Sequence, residues 1–216
     1  MTTELPPISK PARARSAFTL IELLVVIAIM AILAGLVAMF AQRASEQKKT
    51  DRVRAELNKW TTLIDAYHAK LGVYPPSNPS YLPTNSLYYE LSGTLCDGPS
   101  FAILNAPADV VSRTAVNVMF GLGGLINSAT NTEPELAMRI GPIPQGDLIV
   151  ITDASGNNPV KVPRVPVDGP GLDGKPTRTN LWFYNPVNPV HNPNSYDFWA
   201  VYFISGELRT NGNWKR

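Results

Sequence analysis

Cysteine is almost absent: Cys96 is the only one in 216 residues, which excludes a disulfide within the chain. Its flanks, Thr94-Leu95 and Asp97-Gly98, match no thiol-nucleophile motif, so a small, buried apolar role is expected for it. Histidine is nearly as scarce. His68 and His191 are the only two, which excludes a multi-histidine metal site and leaves packed or solvated roles. Charge of neither sign dominates, and a formal net charge of +2 gives no electrostatic argument for nucleic acid. There is no G-x-S-x-G and no zinc-ligand spacing, and no two carboxylates can be placed together as a catalytic pair. Gly121-Leu-Gly-Gly124 lacks the Walker spacing and its lysine, and reads as a breaker. No enzyme is expected.

Two further absences are local. No charged residue lies between Leu23 and Ala41, and no proline between Ala12 and Tyr74, against three prolines before and seventeen after. Proline is excluded from helix interiors by its missing donor and its ring. The proline-free segment therefore predicts one helix from about Phe18 to about Leu71, which at 1.5 Å per residue would extend about 80 Å. Its first half is apolar all round and long enough to cross a bilayer. Such a helix satisfies its own backbone groups, which lipid cannot do. The second half shows Val53, Leu57, Trp60, Ile64, Tyr67 and Leu71 at alternating spacings of 4 and 3, one apolar stripe meant for a partner.

A cleaved secretory signal would be shorter and end in a small-residue A-x-A site, whereas this run ends Val37-Ala38-Met39-Phe40-Ala41-Gln42. An uncleaved anchor fits better. Lys10, Arg13 and Arg15 against Glu4 favour a cytoplasmic N-terminus, although Arg43, Lys48, Lys49, Arg52 and Arg54 follow the run. The one charge inside the run, Glu22, stands three residues after Thr19. Taken alone, that spacing reads as a capping box at a helix start, where the helix dipole also favours a negative charge. A carboxylate awaiting a cationic partner in the membrane is the other reading.

The stretch Ala17-Phe-Thr-Leu-Ile-Glu-Leu-Leu-Val-Val-Ile-Ala-Ile29 closely resembles the N-terminal signature of the type IV prepilin and pseudopilin superfamily. The resemblance implies a leader over residues 1–17, removed by a prepilin peptidase that cuts between Ala17 and Phe18 and methylates the new N-terminus. It also implies that Glu22 pairs with the Phe18 amine of a neighbouring subunit during assembly. The family usually has glycine before the cut, where this chain has Ala17, also small. Further implied partners are copies of the chain, other pilin-like subunits, an inner-membrane assembly platform and the lipid bilayer. The implied location is the inner membrane, single-pass, with the globular part extracytoplasmic. The helix end, Tyr67 followed by Gly72-Val-Tyr74-Pro75, is also similar to the superfamily. Gly72 suits a left-handed cap and Pro75-Pro76 prevent continuation.

The expected organisation is a leader (1–17), a transmembrane half-helix (18–41), an amphipathic half-helix (42–72), an irregular and partly helical insertion (73–146) and an antiparallel sheet with a tail (147–216). Within the insertion, Val110–Phe120 and Glu133–Ile140 carry helical patterns. Leu148–Thr152 and Val160–Val167 flank Asp153-Ala-Ser-Gly-Asn-Asn-Pro159 as a hairpin, with Pro163 and Pro166 pushing the second run to an edge. Leu181–Tyr184 and Phe198–Ile204 read as strands whose aromatics serve the core. The fold class is α+β, pilin-like: a long N-terminal helix packed on a small antiparallel sheet.

Asn194-Ser-Tyr-Asp-Phe-Trp199 with Gly206 and Asn213-Trp214 is similar to major pseudopilins of type II secretion, which often hold calcium near this point. That makes Asp168, Asp173, Asp197 and Glu207 the candidate ligands and calcium the candidate cofactor, since hard cations want several oxygens. Turn chemistry explains the same Asp-Gly and Asn-Gly steps. The leading expectation is a pseudopilin of a type II secretion-like system. The alternatives are a minor type IV pilin or adhesin, whose insertion engages a surface or DNA, and a membrane-anchored enzyme with an unrecognised site.

Overall fold

Helix α1 runs without a break from Leu20 to Leu71, 52 residues, in a computed structural model that describes residues 19–78, 80–171 and 175–214. It stops where expected. Gly72 has a φ of +73°, in the left-handed region, and its N–H donates to the His68 carbonyl at 2.8 Å. The chain divides into two compact units, Met1–Ser45 and Glu46–Arg216. In the first, every described residue is exposed and all but Thr19 are helical.

The second unit contains the core. Val53, Leu57, Trp60, Ile64 and Tyr67 are buried, five of the six stripe positions, while Leu71 is only partly covered at the helix end. After Pro75 and Pro76 the chain forms α2 (Leu87–Ser92), a short helix with every residue buried. A four-stranded sheet follows, built of β1 (Thr94–Asp97), β2 (Ser100–Ile103), β3 (Ala106–Ser112) and β4 (Ser128–Thr130) in the order β3-β2-β1-β4. Gly98 and Pro99 turn β1 into β2, with Gly98 at a φ of +56°. β1 pairs with β4 in parallel, so this sheet is mixed rather than purely antiparallel.

The insertion expected over 73–146 is partly helical, but it also holds this sheet, which was not expected. The pattern expected to be helical from Val110 becomes strand for its first three residues, because Val110 and Val111 pair with Ala102 and Phe101. Helix α3 (Arg113–Phe120) begins only after Ser112, whose hydroxyl caps it by accepting from Ala115 N–H at 3.0 Å. The second expected helix, Glu133–Ile140, shrinks to a 3-10 turn at Pro134–Leu136. Its backbone is used elsewhere: Met138 N–H donates to the Asn127 side chain at 2.8 Å and Ile140 N–H to the Leu91 carbonyl at 2.9 Å.

Beyond residue 147 the four runs expected as strands are realised at least in part, and three further strands, which were not expected, join them. β5 (Leu148–Ile151) and β6 (Val160–Pro163) form the antiparallel hairpin, a two-stranded ribbon that ends at Pro163. Asp153 organises its loop, accepting from Ser155 and Asn157 N–H and from the Asn158 amide. Those bonds, the Asn158 amide foremost, hold its carboxyl below the ordinary range. β7 (Gly169–Pro170) pairs with β8 (Pro176–Thr177). Only glycine fits at Gly169, since the Asn180 side chain lies where a Cβ would stand while its amide bridges the Val167 and Val201 carbonyls. β9 (Phe183–Asn185), β10 (Asp197–Ile204) and β11 (Glu207–Gly212) form an antiparallel sheet in the order β11-β10-β9. Period-two burial is clean along β10. Phe198, Ala200, Tyr202 and Ile204 are buried, while Trp199, Val201 and Phe203 are partly covered. The architecture is α+β, a long N-terminal helix with an apolar first half, packed through its second half on antiparallel and mixed sheets.

Candidate assembly site at the helix start

Thr19 and Glu22 close on one another at the start of α1. Thr19 donates to Glu22 Oε2 from both its N–H and its hydroxyl, each at 2.8 Å, and Glu22 N–H donates back to Thr19 Oγ1 at 3.3 Å. This is the reciprocal arrangement of a capping box, with Glu22 the third helical residue. All of these bonds to the carboxylate converge on Oε2, and Oε1 has no partner among the described residues. The cap and a cationic partner therefore do not compete for the same oxygen. Ala17 and Phe18, the expected processing pair, lie outside the described residues.

Beyond the cap, Leu20 through Phe40 presents apolar side chains on every side, with Leu20 82% exposed and Ile32 66% exposed. The helix is long and apolar enough to cross a membrane. An apolar surface of this extent must be covered, either by hydrocarbon or by other helices.

The calcium candidates are not brought together. Asp197 is buried at the start of β10, but its carboxylate accepts only protein donors. Val190 and His191 N–H donate to Oδ2 at 2.7 and 2.9 Å, and Asn192 donates to Oδ1 from both its N–H and its amide at 3.0 Å. These bonds fasten the 190–192 turn and occupy both oxygens. Glu207 is on the exposed start of β11 and pairs with Arg209 at 2.7 Å. Asp168 is exposed, with its carbonyl accepting from Phe203 N–H, and Asp173 lies outside the described residues. Among the described residues no three His, Cys, Asp or Glu side chains gather as a metal site. The described candidates do not fit calcium.

Cys96 is only partly buried, and its Sγ accepts from Arg113 at 3.1 Å, so the expected plain apolar role is modified by a guanidinium contact. His68 stacks on Tyr74 at 4.1 Å, a packed role as expected.

The residue that sequence reasoning missed is Glu90. It is fully buried in α2, where Tyr67 O–H, Ile126 N–H and Asn127 N–H each donate to its carboxylate at 2.8 Å. The Asn127 amide donates in turn to the Glu90 and Met138 carbonyls at 2.6 Å. One carboxylate thus ties α1, α2 and the approach to β4 together. Burial pushes its carboxyl above the ordinary range, and the Asn127, Ile126 and Tyr67 hydrogen bonds oppose that shift. Tyr88-Tyr89-Glu90 carries no local signal for this role, because the donors come from 23 and 36–37 residues away.

Compared with known proteins, residues 12–38 match the family model described as the prokaryotic N-terminal methylation motif. Neither a curated protein nor a solved structure matches the chain. The motif spans Ala17, Phe18, Thr19 and Glu22 together with most of the exposed apolar run. It implies processing by prepilin peptidase, membrane anchoring before assembly and pilus-like assembly with pilin subunits. The chain is prepilin-like, a structural subunit rather than an enzyme, with an N-terminal methylation motif on a pilin-like α+β fold.

Proposed function

We propose that the chain is a pseudopilin of a type II secretion-like system, cleaved between Ala17 and Phe18 and methylated on the new N-terminus. Before assembly it spans the inner membrane once, over residues 18–41, with its N-terminus cytoplasmic and the second unit extracytoplasmic. Assembly exchanges lipid for the apolar helices of neighbouring copies, and Glu22 neutralises the Phe18 amine of the next subunit. The observation that carries this reading is the Glu22 carboxylate at the head of a bare apolar helix, with Oε2 held by Thr19 and Oε1 without a partner among the described residues. A charge in that position needs a partner in a medium without water. The cap presets the carboxylate without consuming it.

The test is incorporation. Glu22→Ala should leave expression and membrane insertion intact and abolish entry into filaments. Glu22→Gln should fail similarly, because it keeps the shape and loses the charge. Normal filaments from both variants would overturn the pairing role. Co-purification with the inner-membrane platform of a secretion system, against that of a surface pilus, separates the pseudopilin reading from a minor pilin.

A further inference from the structure

Within the second unit, α1 carries a second stripe at Arg54, Asn58, Thr61 and Asp65. These residues face the 192–196 turn and the end of β11 across a cleft of about 460 Å³. The volume is that of a small-molecule site, but the wall is polar where such sites are mostly apolar. Amides and hydroxyls predominate, and the single cation, Arg54, is matched by a single anion, Asp65. An apolar ligand would strand these groups without partners. A strongly charged ligand would find no net countercharge in the lining.

Two kinds of polar group line the cleft. One kind is locked into the protein. Asn213 accepts from Phe198 N–H at 3.0 Å and from the Asn192 amide at 3.1 Å, and its own amide donates to the Tyr196 carbonyl at 2.9 Å. Tyr196 O–H donates to Asp65 at 3.0 Å. The other kind is uncommitted. The side chains of Asn58, Asn211 and Arg54 make no hydrogen bond among the described residues. Each asparagine amide offers two donors beside an acceptor, and a pair of neighbouring hydroxyls offers the complement, since every hydroxyl both donates and accepts. Trp214 borders the cleft with its ring stacked on His191 at 4.0 Å and tilted against Trp199 at 5.9 Å, which adds a fixed apolar surface.

We propose that this cleft binds a neutral carbohydrate unit, whose adjacent hydroxyls pair with the free amides of Asn58 and Asn211 between Arg54 and Trp214. The locked network of Asn213, Tyr196 and Asp65 keeps the wall in shape, so the ligand meets a preformed site. The site is built from the second unit alone and does not rest on helix-driven assembly.

The experiment uses the full-length protein in a sugar-free amine-oxide detergent. It is titrated with neutral hexoses, N-acetylhexosamines and their disaccharides, read by saturation-transfer NMR and tryptophan fluorescence. The expected result is saturable binding to at least one of these sugars. The double variant Asn58→Ala/Asn211→Ala should bind about tenfold more weakly or worse. It should keep the wild-type thermal midpoint, because neither amide has a partner among the described residues. No saturable binding across the panel, or undiminished binding by the double variant, would overturn the proposal. A preference confined to uronic or sialic acids would overturn the neutral-ligand assignment.

Discussion

The two halves of α1 obey the same backbone geometry and opposite rules of burial. From Leu20 to Phe40 the side chains are apolar on every side and no described residue of the first unit covers them. From Val53 to Tyr67 the apolar residues recur on one face only, and there Val53, Trp60, Ile64 and Tyr67 are completely buried. A single stripe needs one partner surface, and the sheets of the second unit provide it. An unstriped cylinder cannot be satisfied by one surface and needs a surrounding medium, which is lipid or a bundle of like helices. The contrast locates two kinds of energetics in one element: folding in the second half, insertion and assembly in the first.

Substitutions in the two halves should therefore separate cleanly, and the largest effect belongs to the buried stripe. Trp60→Ala should destabilise the second unit by about 3–5 kcal/mol in denaturant unfolding, whereas Ile29→Ala should shift that transition by less than about 0.5 kcal/mol. Comparable losses from both would break the distinction. Next comes the node that fastens the stripe to α2. Glu90→Ala leaves two backbone N–H groups and the Tyr67 hydroxyl without their acceptor, and should cost about 2–4 kcal/mol in the same assay.

The same node gives a pH dependence with a definite sign. Burial raises the folded-state pKa of Glu90, so the folded protein holds that proton more tightly than the unfolded chain. Its contribution is full below the unfolded value and is lost as pH rises through the folded one. Measured against Glu90→Gln, wild-type stability should decline as pH is raised from the carboxylate range toward neutrality. A relative gain over that window would contradict the shift.

Smaller effects follow at the surface of the second unit. Lys59 contacts both Glu56 and Asp147, with side chains 21–30% exposed. Asp147→Ala should accordingly cost no more than about 1 kcal/mol in thermal unfolding. Smallest of all is the response to calcium: calorimetric titration to millimolar concentration should give no heat of binding. A saturable isotherm would bring Asp173 back into account with Asp168 and Asp197.

Legibility in the sequence tracked how local each cause was. The limits of α1 were readable because proline exclusion and a glycine stop act on neighbouring residues, and the stripe because its period lies within one helix. β10 was readable through its run of aromatic and branched residues. The mixed sheet was not. β1 and β2 are four residues each, and β4 joins by a parallel pairing of Thr94–Cys96 with Ser128–Thr130, more than thirty residues apart. Two local signals there went unused. Asp97-Gly98 marks the β1–β2 turn, and Ser112 marks the true start of α3. At the candidate site, Thr19 and Glu22 were legible as a capping box, and Asp168, Asp197 and Glu207, the described calcium candidates, do not gather as one group. Glu90 was invisible because distant donors define its role. The cleft at Asn58 and Asn211 was equally hidden, since it exists only where α1 and β11 meet.

The N-terminal residue of the protein purified from its native host is the most direct test. Mass spectrometry should find a chain that begins at Phe18 and carries one methyl group on its amine. A chain still beginning at Met1, and running only as a monomer, would contradict both the processing and the assembly described above.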